Sequence, residues 1–390
     1  MTGTPALATH TPALTPVATG SANIEAICPQ ITQGLPGNGL TSGELVMVDH
    51  DNNSLVWFDL QSGEHSPVAS TSEQLLSYAV SPGGKWLAAE AQNLSSKKKR
   101  LIVLTAQGKQ VVNLPWKDEW WKIAYWLDNQ QLILNSNPYG NADLFILDPF
   151  TGEQKQLSIH SPQIYSLEYP PDWRGAGPII YDPSLQRAVF AGANDVYYLW
   201  DVEDGKSLAS VQTISFLQFP TKAPQWSPDG SQVLLAAPNK SLDYANDELF
   251  SINSTGAITK LTDLMSIYSK ASIDRYNWSP DRQYAALFFE AAPSKYIGER
   301  LALLNPSTKE FTSYCIQGDV TGNYRKNIRH LYDDQIYTGV LWSPDSQQII
   351  VENRVADNLS KIILVDIAPN IAFDVMDGNF QPIGWMVSGK

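Results

Sequence analysis

The side chains that most often carry catalysis are sparse and scattered in this chain of 390 residues. Its histidines are His10, His50, His65, His160 and His330. None of them has the spacing of a metal-binding pair, and the sequence has neither a Gly-x-Ser-x-Gly motif nor a glycine-rich phosphate loop. The run 49–53 (DHDNN) lacks the glycine and distant glutamate of a calcium loop, so we interpret it as a hairpin turn. The sequence predicts no catalytic residue, no metal site and no cofactor.

Paired carboxylates are the catalytic arrangement that the sequence leaves open. The candidates are Asp143, Asp243, Asp247, Glu290, Glu299, Glu352 and Asp357. A glycosidase needs two carboxyl groups that face each other at about 5 to 9.5 Å, and the sequence does not give that distance. Acidic side chains are usually solvated, which is the simpler interpretation of these residues. An enzyme of the glycosidase or lyase kind is therefore the alternative rather than the main hypothesis.

Aromatic and basic side chains are denser than the candidate catalytic groups. They occur in long segments between apolar stretches, such as 97–100 (KKKR) and 116–122 (WKDEWWK). Aromatic rings beside arginines are typical of surfaces that recognise proteins or stack sugars. Some of the rings, Trp121 and Tyr276 among them, are close to apolar stretches and are expected to pack inside the fold. The candidate binding residues are Trp120, Trp173, Arg174, Tyr324, Arg325 and Arg329.

A repeated pattern must position these segments. Its clearest copies are 226–230 (WSPDG), 278–281 (WSPD) and 342–345 (WSPD). Ser-Pro-Asp-Gly is the composition of a type I turn, because proline presets φ at the second position and glycine relieves the fourth. An apolar strand follows each turn, then a variable loop, a third strand that ends in Asp or Asn in the clearest copies, and a more polar fourth strand. Seven such third strands can be counted, which indicates a repeat architecture.

The two ends of the repeated region complete each other. The first unit begins at 44–49 without an opening strand, and the last segment, 381–387, reads as an opening strand with nothing after it. Pairing these two segments would close a ring of sheets and remove its open end. The sequence thus predicts an all-β fold, a seven-bladed β-propeller of four-stranded antiparallel blades, closed by its C-terminal strand. We expect residues 41–390 to form this propeller.

The W-S-P-D-G motif and its spacing over residues 44–390 resemble the TolB-type, WD-like propeller repeats of bacterial proteins. Residues 1–40 are different, since 4–20 (TPALATHTPALTPVATG) reads as a flexible linker rich in Thr, Pro and Ala. Such a linker ahead of a TolB-type propeller is similar to that of exported bacterial lipoproteins. The resemblance implies an extracytoplasmic protein whose signal and lipid tether are missing from this sequence. A cytoplasmic location is the alternative.

Charge and function class follow from composition. The net charge of −13 argues against nucleic acid or an anionic membrane as partner, and no apolar run is long enough to span a bilayer. We expect a monomer that binds a protein, a peptide or a glycan on the face that carries the long loops, without catalysis. The alternative is a propeller enzyme with an acidic site in the central funnel.

Two cysteines, Cys28 and Cys315, are too few for a disulfide scaffold. They lie far apart in the sequence, which favours two unpaired thiols. A bridge between them would instead staple the N-terminal segment to a blade.

Overall fold

The computed structural model describes twelve stretches of the chain. They are residues 26–35, 43–68, 72–116, 121–135, 144–157, 179–191, 196–212, 224–238, 247–292, 300–318, 341–356 and 358–387. Within them the chain forms β-strands and one 3-10 helix, Leu264–Ser266. None of the helical structure in these stretches has the length and hydrophobicity of a membrane span.

The strands form seven antiparallel sheets, the blades. Two short strands come first: β1 (Ala26–Ile27) and β2 (Ile31–Gln33). Blade 1 contains β3 (Glu44–Asp49), β4 (Ser54–Asp59) and β5 (His65–Pro67). Blade 2 contains β6 (Glu73–Val80), β7 (Leu87–Asn93), β8 (Lys99–Leu104) and β9 (Gln110–Pro115). Blade 3 contains β10 (Lys122–Trp126), β11 (Leu132–Asn135), β12 (Leu144–Leu147) and β13 (Gln154–Leu157). Blades 4 and 5 contain β14 (Ile180–Tyr181), β15 (Arg187–Ala191), β16 (Val196–Asp201), β17 (Lys206–Gln212); and β18 (Gln225–Trp226), β19 (Gln232–Pro238), β20 (Asp247–Asn253), β21 (Ile258–Lys260). Blades 6 and 7 contain β22 (Lys270–Trp278), β23 (Ala285–Ala292), β24 (Arg300–Leu304), β25 (Phe311–Gln317); and β26 (Leu341–Trp342), β27 (Gln348–Ala356), β28 (Leu359–Asp366), β29 (Ile371–Gly378). The last strand, β30 (Phe380–Met386), returns to blade 1.

Ring closure is as predicted. β30 pairs antiparallel with β3 in a register that runs from Glu44 opposite Met386 to Asp49 opposite Phe380. Blade 1 therefore has the order β30-β3-β4-β5 and obtains its first strand from the C-terminal end of the described chain. The seven-bladed β-propeller is confirmed.

The repeated turn has the predicted chemistry. In blade 5, the Gly230 N–H donates to the Ser227 carbonyl at 2.8 Å, and Gly230 has a φ of +69°. The Ser227 hydroxyl donates to Asp229 at 2.7 Å and accepts from the Gln232 N–H at 3.0 Å, which fixes the start of the next strand. Positive φ at this position recurs in blades whose residue is not glycine, including Arg282 and Ser346.

In two blades, the tryptophan ahead of the turn donates a hydrogen bond to the neighbouring blade. The indole N–H of Trp126 in blade 3 donates to the Ala79 carbonyl of blade 2 at 2.9 Å. Trp226 of blade 5 donates in the same way to the Ile180 carbonyl of blade 4 at 3.0 Å. The apolar core lies between the blades, where each buried cluster combines side chains from two neighbours. Tyr276 is fully buried there, as expected.

An additional segment crosses the outside of the ring. Residues 26–35, the N-terminal strap, pair in parallel with the outermost strands of two blades: β1 with β25 of blade 6, and β2 with β29 of blade 7. Leu35 then packs against the cluster between blades 7 and 1. The strap therefore joins blades 6 and 7 and reaches the cluster to which the closing strand β30 contributes Trp385. These residues belong to the predicted linker 1–40, whose first 25 residues lie outside the described chain.

A disulfide joins Cys28 of the strap to Cys315 of β25, with the two Cα atoms 4.7 Å apart. The prediction of two unpaired thiols was wrong. Parallel pairing of β1 with β25 places Ile27 opposite Tyr314, so the next residue of each strand is a cysteine. Two residues that are 287 positions apart in sequence become neighbours through this pairing.

Candidate functional site

Two kinds of connection leave the same end of each blade, which we call the long-loop face. Because neighbouring strands of a blade are antiparallel, the connection between second and third strands shares this end with the connection from the fourth strand to the next blade. The Ser-Pro-Asp turns lie at the other end, the turn face. The predicted binding residues belong to segments that follow fourth strands, and all lie outside the described residues: Trp120, Trp173, Arg174, Tyr324, Arg325 and Arg329. Their role stays a prediction.

An apolar groove between blades 2 and 3 adjoins the first of these segments. Its cavity volume is about 70 Å³, and the groove is open to solvent on one side. Its lining combines the long-loop end of blade 2 with the end of blade 3 at the β12–β13 turn, so the groove lies at the outer rim between the two faces. The lining residues are Leu101, Leu114, Pro115, Trp116, Trp121, Leu147, Gly152 and Gln154. The groove is therefore a described concave surface beside a segment that the sequence selected for binding.

Two tryptophans of the motif 116–122 form one wall of the groove. The half-buried Trp116 extends the ladder of blade 2, since its backbone N–H donates to the Lys99 carbonyl at 3.2 Å. Its indole N–H donates to the Trp121 carbonyl at 3.0 Å, and the two rings meet edge to face at 6.1 Å. Trp121 is buried and lies 5.5 Å from the Phe145 ring, so its predicted packing between blades is confirmed. Trp116 is the ring that a partner can reach.

The basic run 97–100 divides into two pairs. Arg100 donates to both carboxylate oxygens of Glu73 at 2.7 and 2.9 Å, and Lys99 forms an ion pair with the buried Glu90 at 2.8 Å. These two cations are used inside blade 2. Lys97 and Lys98 are exposed and form no ion pair within the described part of the chain. They are the cations of this run that can meet a partner.

The described carboxylates of the alternative, acidic site are engaged in the fold. Asp247 is buried and accepts from the Ile273 N–H at 3.0 Å, which ties blade 5 to blade 6. Glu352 is buried in blade 7 and accepts from the Ser360 hydroxyl at 2.9 Å. Glu290 is exposed on blade 6, and the other candidates, Asp143, Asp243, Glu299 and Asp357, lie outside the described residues. Asp247, Glu290 and Glu352 thus come from three different blades.

Glu248 of blade 5 is a buried carboxylate that the sequence did not single out. It accepts from the Thr262 hydroxyl at 2.6 Å and from the Leu264 and Met265 N–H groups at 2.9 and 3.0 Å. Burial raises the pKa of Glu248, while these hydrogen bonds and Lys260 oppose the rise. Glu248 is thus held by N–H groups at the start of the 3-10 helix, which gives its burial a structural explanation.

The described residues contain no cluster of three His, Cys, Asp or Glu side chains suited to a metal. The 49–53 run is a hairpin turn as predicted, with Asp49 accepting from the Asn52 N–H at 3.1 Å.

Two buried arginines in blade 6 were also missed. The Arg275 guanidinium lies 4.5 Å from the centre of the Phe288 ring, and that of Arg300 lies 4.6 Å from the Phe289 ring. Arg300 also donates to the Tyr268 hydroxyl at 3.1 Å. Stacking on aromatic faces is a common way to hold an arginine inside a protein. The sequence signal was weak, because Arg275 lies in a strand with several other polar residues and Arg300 is the first residue of its strand.

Comparison with solved structures supports the architecture. The oligogalacturonate lyase from Vibrio parahaemolyticus has a TM-score of 0.51 and 14% sequence identity over 86% of this chain and 85% of that one. An oligogalacturonate lyase in complex with manganese gives 0.51 and 13% over 87% and 85%. TolB from Acinetobacter baumannii gives 0.44 and 12% over 91% and 68%. No protein-family model and no curated protein sequence matches the chain. The likeness to the two oligogalacturonate lyases establishes a shared β-propeller fold, and a fold of this kind serves many functions.

Proposed function

We propose that this protein is a non-enzymatic binding or scaffold propeller that recognises a protein, a peptide or a glycan on its long-loop face. The observation that carries the proposal is the groove between blades 2 and 3, where the half-buried Trp116 borders an open apolar surface. Recognition sites are concave and mainly apolar, with a few polar groups at their rim. Trp residues are frequent among the side chains that dominate binding energy.

The compartment is part of the proposal. The Cys28–Cys315 disulfide supports an extracytoplasmic location, because such bonds form and persist in oxidising compartments. The strap that carries Cys28 follows the segment that the sequence predicts to be a linker. An exported propeller, tethered through this segment, is consistent with both features.

The competing hypothesis is a lyase- or glycosidase-like enzyme with an acidic site in the funnel. The described carboxylates give it little support, since Asp247 and Glu352 accept hydrogen bonds from the fold itself. The similarity to oligogalacturonate lyases concerns the fold alone. The enzyme hypothesis predicts cleavage of an acidic polysaccharide, so it can be tested beside the binding proposal.

The experiment compares two tryptophan variants on glycan and peptide arrays. Trp116→Ala removes the groove wall, and Trp226→Ala is the matched control, because Trp226 is also half-buried and its indole N–H also donates to a backbone carbonyl, but it lies in blade 5 ahead of the turn on the turn face. We expect Trp116→Ala to weaken capture by about 2 kcal/mol, or roughly thirtyfold, as for a dominant interface residue. Trp226→Ala should bind as the unaltered protein does. Thermal unfolding of both variants shows whether either change disturbs the fold.

Two results would overturn the proposal. One is equal loss of binding in both tryptophan variants, or no capture by the unaltered protein. The other is release of unsaturated uronates from polygalacturonate, measured by ultraviolet absorbance with and without added manganese. That second result would establish the enzyme hypothesis.

A further inference from the structure

Blade 2 presents an open outer edge. Its fourth strand, β9, is the end strand of the sheet β6-β7-β8-β9, and nothing in the described chain pairs with its outer side. β9 has six residues, and Val111 on it is 41% exposed although it is apolar. An exposed strand edge offers unpaired backbone groups to another chain, and proteins usually block such edges.

Two other blades have a covered edge, three have a short edge strand, and blade 4 has a seven-residue edge strand, β17. The strap covers β25 of blade 6 and β29 of blade 7. In blade 1, β5 is only three residues long and ends with Pro67. In blade 4, the edge strand β17 is approached by the neighbouring blade, where a Cβ on Gly256 would lie 2.5 Å from the Leu208 carbonyl. β13 and β21 have four and three residues. β9 combines length, exposure and an adjacent groove.

The backbone of β9 has a defined phase. The Trp116 N–H donates to the Lys99 carbonyl of β8. Because the backbone groups of alternate residues in an antiparallel strand point to the same side, the N–H and carbonyl groups of Leu114 and Val112 also point towards β8. Asn113, between them, then directs its N–H and carbonyl away from the blade. Pro115 has no N–H. It occupies another outward-facing position, so its missing N–H removes no hydrogen bond between β9 and β8. Asn113 is thus the position at which an added strand would find its donor.

The charge of the residues around β9 indicates the charge of a partner strand that would bind there. Residues 85–116 contain six Lys or Arg and one Glu, in a chain whose net charge is −13. Lys97, Lys98 and Lys109 of blade 2, with Lys155 on the neighbouring β13, are exposed and form no ion pair in the described stretches. An acidic segment would therefore be attracted to this edge and repelled by much of the remaining surface.

We propose that the outer edge of blade 2 binds an extended acidic peptide of a partner protein, which adds to β9 as a strand and places an apolar side chain in the Trp116 groove. The inference rests on the proposed function and names the class of its partner. The chain itself uses this mode of recognition, since the strap adds extended segments to β25 and β29. Main-chain hydrogen bonds supply affinity in such additions, and side-chain pockets supply specificity.

The test uses a fluorescent peptide of alternating Glu and Val with a central Trp, measured by anisotropy against the full chain. Asn113→Pro removes the outward N–H and keeps the ladder with β8, whereas Asn113→Ala changes the same side chain and keeps the N–H. We expect Asn113→Pro to weaken binding at least about tenfold and Asn113→Ala to leave it within about twofold, because strand addition depends on the backbone. Polygalacturonate serves as an anionic ligand that cannot add as a strand.

Two further variants keep the proposal falsifiable if Asn113→Pro disturbs folding. Val111→Asp places a negative charge on the exposed edge and should weaken binding of the acidic peptide. Lys97→Asn with Lys98→Gln should weaken binding and reduce its dependence on salt; Asn suits position 97, where φ is +57°. Equal binding by Asn113→Pro and the unaltered protein, or equal binding of a proline-interrupted peptide, would overturn strand addition. In that case a ligand lost in Trp116→Ala on the arrays would leave the proposed function standing.

Discussion

The outer edges of blades 6 and 7 differ from the edge of blade 2 in what covers them. Blades 6 and 7 carry a fifth strand from the N-terminal strap, held by a disulfide and by hydrogen bonds. Blade 2 ends at β9, with an exposed valine, a groove and unpaired lysines beside it. All three edges are fourth strands of the same repeat, so the difference does not arise from the blade itself. Blades 6 and 7 are thus covered at their outer edges, whereas the other five sheets of the described chain have no added strand.

Removal of the closing strand should have the largest effect on the covered side. Deleting residues 380–390 takes β30 from blade 1, exposes β3 and removes Trp385 from the cluster between blades 7 and 1. We expect loss of the cooperative unfolding transition and aggregation, because closure of the ring is lost. Calorimetry and light scattering measure both outcomes. A truncated chain that unfolds as sharply and at the same temperature would show that the strap alone holds blades 7 and 1 together.

The disulfide should give the next largest effect. Replacing both Cys28 and Cys315 by Ser releases the strap from β25, where the strand that it anchors has only two residues. We expect a loss of about 2–4 kcal/mol in the free energy of unfolding, the usual range for a disulfide that closes a long loop. Urea unfolding with and without reductant measures this. Reductant should destabilise the unaltered protein and leave the double variant unchanged; equal sensitivity in both would contradict the assignment.

The blades were predictable from sequence because their determinants are local. Ser227, Asp229 and Gly230 form the turn from their own side chains and dihedral preferences, whatever surrounds them. The strap was not predictable in the same way. Its strands have two and three residues, too few to show a period, and their parallel partners are hundreds of positions away. The unpaired-thiol prediction failed for that reason.

The candidate site was predicted only in part. The motif 116–122 was chosen from sequence as a place where aromatic rings concentrate, and its binding role stays a prediction, whereas the groove depends on Leu147 and Gln154 of the next blade. Which of Trp116 and Trp121 stays accessible is decided by packing, since Trp121 fills the space between blades and Trp116 stays half-buried. Long-range packing of this kind leaves no local pattern in a sequence.

A smaller effect is expected from the hydrogen bond between Gln33 of the strap and Asp374 of β29, which we call the polar latch. The buried Asp374 of β29 accepts from Gln33 of the strap at 2.8 Å and from Lys361 at 2.5 Å. Burial raises the pKa of Asp374, but the hydrogen bonds from Lys361 and Gln33 outweigh it and hold that pKa below its ordinary value. Asp374→Asn should therefore cost about 1 kcal/mol at neutral pH, the usual contribution of such a hydrogen-bonded group.

The pH dependence of this latch has a definite sign. A carboxylate whose pKa is lowered in the folded state stabilises the fold above its unfolded pKa, and the contribution is lost as pH falls through the folded value. The unaltered protein should thus lose stability relative to Asp374→Asn below about pH 4, the ordinary range for Asp. Urea midpoints across this range measure the difference. If the urea midpoints of the two proteins change with pH in the same way, the pKa of Asp374 is not lowered by its hydrogen bonds with Lys361 and Gln33.

The smallest expected effect is a change in protection from hydrogen exchange. It compares one residue on each of the two edges. The Gly34 N–H donates to the Asp374 carbonyl at 2.9 Å, so the backbone of Asp374 faces the strap as that of Asn113 faces solvent. By hydrogen exchange, the Asn113 amide should exchange fast and the Asp374 amide slowly, because exchange requires an open hydrogen bond. Replacing both cysteines should accelerate exchange at Asp374 without changing Asn113. Adding the acidic peptide should slow exchange at Asn113 without changing Asp374, and protection of Asn113 before any peptide is added would mean that the edge of blade 2 is already covered.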